Sequence, residues 1–226
     1  HVIIGLGVGG AELMLKRLVE GLNGKDGMQH SVISLTDLGP VGQQLLDNGI
    51  HVKSLGMKNI LSIPTTFIKL RRELKNKKPD IVQTWMYHAD FLGGLAAKSL
   101  GIQNIIWNVR NTHLNSSGRF DAVFRKICAY FSYKVPKEII YVSQSARSEH
   151  LKQNYRSDIG KVIGNGFDTT KYAFSLENRE TYRAELKLDD SDIAVFSVGR
   201  YVPAKDHSTF VAAICLAART NPKIKG

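Results

Sequence analysis

Short apolar runs alternate with amphipathic segments along the chain. Apolar runs of this kind are typical of buried parallel strands, and the segments between them carry apolar residues at helical spacing. Strands are predicted at 2–4, 30–35, 51–53, 81–85, 104–109, 138–142, 161–163 and 193–198, and helices at 11–22, 42–48, 63–76, 89–100, 120–134, 145–154, 177–186 and 207–219. This alternation predicts an α/β fold built on a doubly wound parallel sheet.

The order of elements predicts two domains. Residues 1–166 are expected to form a nearly complete Rossmann-like domain. Residues 167–226 are expected to hold a linker and the opening βα unit of a second Rossmann-like domain. The chain starts in what resembles the end of a strand and stops where another strand is expected, so we expect a fragment of a longer protein.

Local signals mark the ends of several elements. Ser62 followed by Pro64 is typical of a helix start, and Gly101 is typical of a helix end. Ser143 or Ser145 is predicted to cap the helix that follows, with a hydroxyl in a ligand cleft as the alternative.

The chain is strongly basic, with a net charge of +11 from 31 Lys and Arg against 20 Asp and Glu. A surplus of this size favours an anionic partner. The span Lys58–Lys78 holds several cations and a single acid, Glu73, and suits an anionic membrane surface, where each cation contributes about 1 kcal/mol. Nucleic acid is not expected as a partner, because Phe67 is the only aromatic residue in this span.

The two cysteines, Cys128 and Cys215, lie far apart in sequence and outside any metal-binding spacing. This favours a reducing compartment, so we expect a cytoplasmic protein. The basic span would place it peripherally at the inner membrane face. No apolar run reaches the roughly 18 residues that a membrane span needs. We expect no divalent metal site of the Asp-x-Asp type.

A glycine-rich turn, Gly5–Gly10, follows the first strand and precedes the first helix. It matches the G-x-G-x-x-G fingerprint of dinucleotide-binding proteins, which also need an acid at the end of the second strand. That strand ends at Leu35 and Thr36, and Asp37 lies beyond the expected place. The glycines serve either a tight turn or the close approach of a ligand to the backbone.

A second chemical signal lies near the predicted domain boundary. The last strand of the first domain breaks at Asn165-Gly166, a pair that tolerates positive φ. The predicted strand 193–198 leads to Gly199-Arg200, and Lys205 comes just before the next helix. A guanidinium and an ammonium beside a helix N-terminus form an anion site suited to a diphosphate, with structural ion pairs as the less favoured alternative.

This pairing resembles the centre of the family 4 retaining glycosyltransferases, which use nucleotide sugars. There, Asn-Gly-x-Asp (here 165–168) precedes a domain that opens with Gly-Arg and a following Lys, and Gly-Gly-Ala-Glu (here 9–12) opens the first helix. The resemblance implies the GT-B fold, with the acceptor bound by the first domain, the donor by the second, and catalysis between them. It implies transfer of a hexose or N-acetylhexosamine, with retention, to a glycan or lipid-linked acceptor in bacterial cell-surface polysaccharide or lipopolysaccharide synthesis.

The resemblance also implies roles for donor-binding residues. Arg200 and Lys205 would neutralise the leaving diphosphate as catalytic cations, without a metal or another cofactor. Gly9, Gly10 and Asn165 would contact the donor and its phosphates. The nucleotide diphosphate sugar would itself be the co-substrate.

The remaining predicted site residues face the acceptor or the transferred sugar. Arg110 occupies the position where many family members place a sugar-binding His, so Arg110 is expected to bind phosphate or an acceptor carboxylate, and His113 to take over the sugar contact. An ordinary surface position is the alternative for both. Tyr87 and His88 are predicted acceptor ligands. His88 and Asp90 are alternatively helix caps, which is the favoured interpretation for Asp90.

Two other functions are compatible with parts of the sequence. An NAD(P)-dependent oxidoreductase would use the Gly5–Gly10 turn but leaves Arg200 and Lys205 unexplained. A basic nucleic-acid-binding protein would explain only the charge. An acidic motif that donor binding requires in the family is not present in these residues, so we expect this fragment alone to be inactive.

Overall fold

The computed structural model describes residues 1–112, 119–199 and 201–226, and His113 and Arg200 lie outside the described residues. The chain divides into two compact units, His1–Gly166 and Phe167–Gly226. We refer to them as unit 1 and unit 2.

Unit 1 is built on a seven-stranded sheet in the order β3-β2-β1-β4-β5-β6-β7, and every neighbouring pair is parallel. The strands are β1 Val2–Ile3, β2 Ser31–Ser34, β3 His51–Ser54, β4 Val82–Trp85, β5 Ile105–Val109, β6 Glu138–Tyr141 and β7 Gly160–Val162. The predicted doubly wound parallel sheet is therefore confirmed. Its strand order reverses between β1 and β4, where ligands bind in open α/β sheets.

Six helices connect these strands: α1 Gly10–Leu22, α2 Gly39–Asp47, α3 Ile63–Lys77, α4 Tyr87–Ser99, α5 Arg119–Phe131 and α6 Gln144–Leu151. One core cluster joins Leu15 of α1 and Leu45 of α2 to Trp85 on one face of the sheet. The other cluster gathers α3 to α6 around Trp107 on the opposite face. Both faces are covered because the crossovers to β2 and β3 run to one side of β1 and the later ones to the other.

The predicted caps are correct in part. Gly101 follows α4 with a positive φ of 80°, and the Ser143 hydroxyl accepts the Ala146 N–H at 3.0 Å at the start of α6. Ser62 precedes α3, but its side chain makes no cap bond to that helix. Ser62 instead forms a reciprocal capping box with Asn59 around a short 3₁₀ turn, Ile60–Ser62.

Unit 2 contains α7 Leu176–Glu185, β8 Ile193–Ala194, α8 His207–Thr220 and β9 Ile224–Lys225, with a 3₁₀ turn at Pro203–Lys205. The predicted buried strand 193–198 is much shorter than expected. Beyond Ala194 only the Val195 N–H continues the ladder, and Phe196 and Val198 are 67% and 98% exposed. An apolar run is buried only where other helices or strands pack on it, and the residues of the run do not specify those elements.

Candidate active site

The candidate site lies where the strands of unit 1 end. All seven parallel strands finish at one edge of the sheet, so the segments after β1, β4, β5 and β7 are brought together there. These four segments carry the glycine-rich turn, the start of α4, Arg110 and the Asn165-Gly166 pair. We call this edge the carboxyl edge.

The glycine-rich turn leaves space beside the N-terminus of α1. Neither Gly9 nor Gly10 has a positive φ, so the turn does not require glycine at these places. A Cβ at Gly10 would meet no atom within 4 Å, and one at Gly9 would meet the flexible Glu12 side chain. The first N–H groups of α1 have no intrahelical partner, as in any helix, and Gly9 at the cap position offers no side chain to bond them.

Arg110 and Asn165, predicted separately, lie side by side. Nη1 of Arg110 donates to Oδ1 of Asn165 at 3.0 Å and lies 3.4 Å from the Ile163 carbonyl oxygen. The guanidinium carbon is 5.1 Å from the centre of the Trp85 ring. Partial burial lowers the pKa of Arg110 from its usual value, although it stays a cation. A fixed cation therefore sits at the carboxyl edge.

The segment that follows β7 also reaches α1. Nη1 of Arg17 lies 3.4 Å from the carbonyl oxygen of Gly166. Neither Asn165 nor Gly166 has a positive φ, so the chain does not use the left-handed conformation that this pair tolerates. Asn165 is held instead by the guanidinium of Arg110, a contact across 55 residues that local turn preferences do not reveal.

Asn108 is a buried polar residue that the sequence analysis missed. Its side chain is fully buried on β5, in register with Trp85 on β4. Among the described residues, neither its amide oxygen nor its amide nitrogen has a hydrogen-bond partner. The apolar run 105–109 favours a strand, but only the structure shows that Asn108 lies in register with Trp85, the residue whose ring Arg110 overlies.

Met86, at the start of α4, has an unusual backbone conformation. Its φ is 71° and its ψ is 159°, which non-glycine residues rarely adopt. Its N–H donates to the Asn108 carbonyl at 3.1 Å. Backbone strain of this kind concentrates at functional sites. No local signal predicts it, because methionine has no preference for such a conformation.

Tyr87 and His88 begin α4 at the carboxyl edge. Tyr87 is only 3% exposed, and its hydroxyl donates to Nε2 of His150 at 2.7 Å. Nδ1 of His150 lies 2.7 Å from the Ala146 carbonyl, which can only accept, so the proton is on Nδ1. His88 is half-buried against Phe124, with ring centres 4.2 Å apart. The acceptor contacts assigned to Tyr87 and His88 stay predictions.

Asp90 does not cap α4, so that interpretation is wrong. Its side chain is fully buried, and Oδ1 accepts the Thr84 hydroxyl at 2.5 Å. Burial raises the pKa of Asp90 well above its usual range, and interactions with Thr84 and the Asn108 backbone oppose this only in part. Oδ2 makes no bond of acceptable geometry to any described residue. The carboxyl group therefore belongs to the interior of unit 1.

In unit 2, Lys205 ends the 3₁₀ turn that precedes α8. Its side chain is exposed, and its aliphatic stem lies about 3.4 Å from the point where a Cβ of Gly199 would stand. Asp206 caps α8 by accepting the Thr209 N–H at 3.4 Å and the Ser208 hydroxyl at 3.1 Å. Lys205 forms no ion pair within the described part of the chain. The roles of Arg200, His113 and Lys205 stay predictions.

The fold and this site define a protein of the GT-B class. HepE from Anabaena, solved in complex with UDP-glucose, has a TM-score of 0.80 at 17% identity, over 99% of this chain and 58% of that one. The UDP-GlcNAc 2-epimerase from Methanocaldococcus jannaschii has a TM-score of 0.62 at 15% identity, over 99% of this chain and 64% of that one. The fold is therefore shared with an epimerase and does not by itself identify a transferase.

The sequence distinguishes between the two. Residues 8–171 match Glycosyltransferase Family 4, and the chain belongs to that family. An Escherichia coli UDP-Gal:alpha-D-GlcNAc-diphosphoundecaprenol alpha-1,3-galactosyltransferase is 26% identical over 150 residues, or 66% of this chain. The chain spans only 39% of that relative's length. The resemblance drawn from the motifs is thus confirmed, and the oxidoreductase and nucleic-acid alternatives lose their support.

Proposed function

We propose that the intact protein transfers a hexose or N-acetylhexosamine from a nucleotide diphosphate sugar to a glycan or lipid-linked acceptor, with retained anomeric configuration. The reaction would serve bacterial cell-surface polysaccharide synthesis on the cytoplasmic face of the inner membrane. The observation that carries the proposal is the Arg110–Asn165 pair at the carboxyl edge of a family 4 domain. The E. coli relative is a UDP-Gal-dependent transferase and the Anabaena protein was solved with UDP-glucose, and both observations support this donor class.

The donor would be recognised by groups suited to negative charge and to hydroxyls. The unpaired N–H groups at the start of α1 add positive potential beside the open space at Gly10. The Oδ1 atom of Asn165 is occupied by Arg110, so its amide group keeps two donors for an oxygen of the substrate. Arg110 supplies a fixed positive charge to a phosphate or an acceptor carboxylate.

The chemistry requires stabilisation of a departing diphosphate and of an oxocarbenium-like centre. Arg200 and Lys205 would stabilise the leaving group electrostatically, which needs no metal or separate cofactor. The leaving phosphate oxygen would accept the proton of the acceptor hydroxyl, so no carboxylate base is needed. Tyr87, His88 and His113 would then orient the acceptor and the transferred sugar.

The test is a calorimetric titration of the full-length protein with UDP, GDP, NAD and a duplex oligonucleotide. We expect binding of UDP or GDP, and about tenfold weaker binding in Lys205→Ala, since a lost charge-assisted contact of about 1.4 kcal/mol has this effect. Lys223→Ala removes an equally exposed cation of unit 2 and should bind like the wild type. Binding of NAD without UDP or GDP would overturn the proposal.

A further inference from the structure

The Asn-Gly pair at the end of unit 1 occurs twice more in the chain. The three pairs are Asn23-Gly24, Asn48-Gly49 and Asn165-Gly166. Glycine after asparagine leaves the backbone nitrogen open to the asparagine side chain, because no Cβ stands beside that nitrogen. The nitrogen can then attack Cγ of the asparagine, which is the first step of deamidation. The three pairs share this chemistry, but their surroundings in the fold differ.

The first two pairs follow helices, and backbone hydrogen bonds hold their glycines. The Gly24 N–H donates to the Met28 carbonyl at 2.8 Å, and the Gly49 N–H donates to the Leu46 carbonyl at 2.9 Å. Both glycines also have a left-handed backbone, with φ of 79° and 77°. Each nitrogen must lose its hydrogen bond before it can lose its proton, so the fold protects both pairs.

The third pair is open to attack. Both of its residues are exposed, and within the described residues no oxygen accepts the Gly166 N–H. A Cβ at Gly166 would meet no atom within 4 Å, so there is space around this residue. Nη1 of Arg110 donates to Oδ1 of Asn165 at 3.0 Å. The nitrogen is therefore free to react, while a cation polarises the carbonyl group that it would attack.

We propose that Asn165 is a site of intramolecular deamidation, and that Arg110 promotes the reaction. The Gly166 nitrogen gives its proton to hydroxide and attacks Cγ of Asn165. The electron pair of the C=O bond moves onto Oδ1, where the guanidinium of Arg110 stabilises the negative charge. The bond between Cγ and Nδ2 then breaks, and Nδ2 takes a proton from water and leaves as ammonia. Water opens the cyclic imide at either carbonyl, which gives aspartate or isoaspartate without any oxidant or cofactor.

The product would change the charge of the candidate site, a consequence that rests on the proposed function. A carboxylate at position 165 would form an ion pair with Arg110, so the guanidinium would no longer be available to a phosphate. The two amide donors of Asn165 would be replaced by an oxygen that only accepts. We therefore expect the full-length protein to bind its donor more weakly as the modification accumulates.

The test is incubation of the full-length protein at neutral and at alkaline pH, followed by mass-spectrometric mapping of aspartate and isoaspartate at each asparagine. The rate should rise with pH, because the attacking nitrogen must lose a proton. Asn165 should react at least about tenfold faster than Asn23 or Asn48, since a local opening that costs about 1.4 kcal/mol has this effect. In urea the three rates should converge, because unfolding removes the protecting hydrogen bonds. Equal rates in the folded protein, or a difference that persists in urea, would overturn the proposal.

Two variants test the roles of Gly166 and Arg110. Gly166→Ala should slow the reaction about tenfold, or about 1.4 kcal/mol in activation free energy, because a Cβ crowds the attacking nitrogen. The open space at Gly166 should leave its circular dichroism spectrum unchanged. Arg110→Gln should slow the reaction at least about tenfold, and Arg110→Lys, which keeps the charge, should restore most of the rate.

Arg72→Gln is the matched control, since it removes an exposed cation of α3 that lies outside the site. Its rate of deamidation at Asn165 should equal that of the wild type. A rate in Arg110→Gln that equals or exceeds the wild-type rate would overturn the promotion by Arg110.

The deamidation and the donor binding can fail separately. Fresh protein that binds UDP or GDP, and that binds it about tenfold more weakly after ageing and in Asn165→Asp, supports both. Protein that deamidates at Asn165 but binds neither nucleotide when fresh supports the modification and refutes the proposed donor. Aged protein that binds UDP or GDP as tightly as fresh protein would refute the effect of the modification on the site.

Discussion

At the scale of single residues, Gly10 and Gly39 illustrate two different reasons for a glycine. Gly39 begins α2 with a positive φ of 59°, and a Cβ there would collide with the Leu6 carbonyl. Gly10 has neither constraint. The fold itself thus accounts for Gly39, whereas the open space at Gly10 is explained by the proposed donor.

We expect Gly39→Ala to destabilise the protein and Gly10→Ala to leave it intact. A left-handed alanine costs about 1–3 kcal/mol before any collision is counted, and about 1 kcal/mol shifts Tm by roughly 2–4 °C at this size. Gly10→Ala should keep or slightly raise Tm in thermal unfolding, because alanine is the better helix former. It should weaken UDP-sugar binding to the full-length protein about tenfold, which corresponds to about 1.4 kcal/mol.

Gly21→Ala is the matched control, since Gly21 lies in the same helix with no atom within 4 Å of its missing Cβ. This variant should bind UDP-sugar like the wild type. Undiminished binding in Gly10→Ala would show that the donor does not approach this part of the backbone.

At the scale of elements, a buried hydrogen bond joins α4 to α6. The Tyr87 hydroxyl and Nε2 of His150 are 2.7 Å apart, and His150 is fully buried. Burial lowers the pKa of His150, which its hydrogen bond to Ala146 opposes only in part. This contact fixes the start of α4, where two predicted acceptor ligands lie.

Tyr87→Phe should lower the free energy of unfolding by about 1–3 kcal/mol, because Nε2 of His150 is left buried without its donor. His150→Phe should cost a similar amount, and the double variant should cost clearly less than the sum of the two. Urea titrations measure all three. Tyr133→Phe, at a tyrosine that is 57% exposed, is the control and should change stability by less than about 0.5 kcal/mol.

The same histidine predicts a pH dependence. Its pKa is lower in the folded state than the ordinary 6.5 of the unfolded chain, so the unfolded state takes up the proton first on acidification. The contribution of His150 to stability is therefore complete above about pH 6.5 and falls as the pH drops below that value. His150→Phe should lose this part of the decline, and an unchanged pH profile in that variant would contradict the assignment.

At the scale of the whole molecule, the predicted membrane association depends on charge and on apolar surface, which act over different distances. The net charge of +11 attracts an anionic surface from a distance, whereas exposed aliphatic residues such as Leu61 and Ile68 act only on contact. Among the helices in the described residues, none is long and apolar enough to cross a bilayer.

Added salt should separate the two terms. The Debye length falls from about 10 Å at 0.1 M to about 3 Å at 1 M, so NaCl should weaken binding of the wild type to anionic vesicles steeply. Arg72→Gln with Lys75→Gln, two cations of the span Lys58–Lys78, should show a shallower salt dependence in co-sedimentation with phosphatidylglycerol vesicles. Binding that does not change with salt would rule out an electrostatic role for this span.

Local periodicity was enough to predict the architecture of unit 1. Helix and strand spacing are properties of neighbouring residues, and α1 to α6 and β1 to β7 all form near their predicted places. The family was predicted from a resemblance instead, and this was possible because Gly9–Glu12 and Asn165–Asp168 are short continuous motifs. The strand at 193–198 failed because its burial depends on elements distant in sequence.

The contacts of the candidate site were decided by packing between distant segments. Arg110 meets Asn165 across 55 residues, and Tyr87 meets His150 across 63. Asp90 carries a helix-cap pattern in sequence, yet the sheet buries it against Thr84. Side-chain pairing and desolvation are set by which strands lie side by side, and the order β1-β4-β5-β6-β7 exists only in the folded chain.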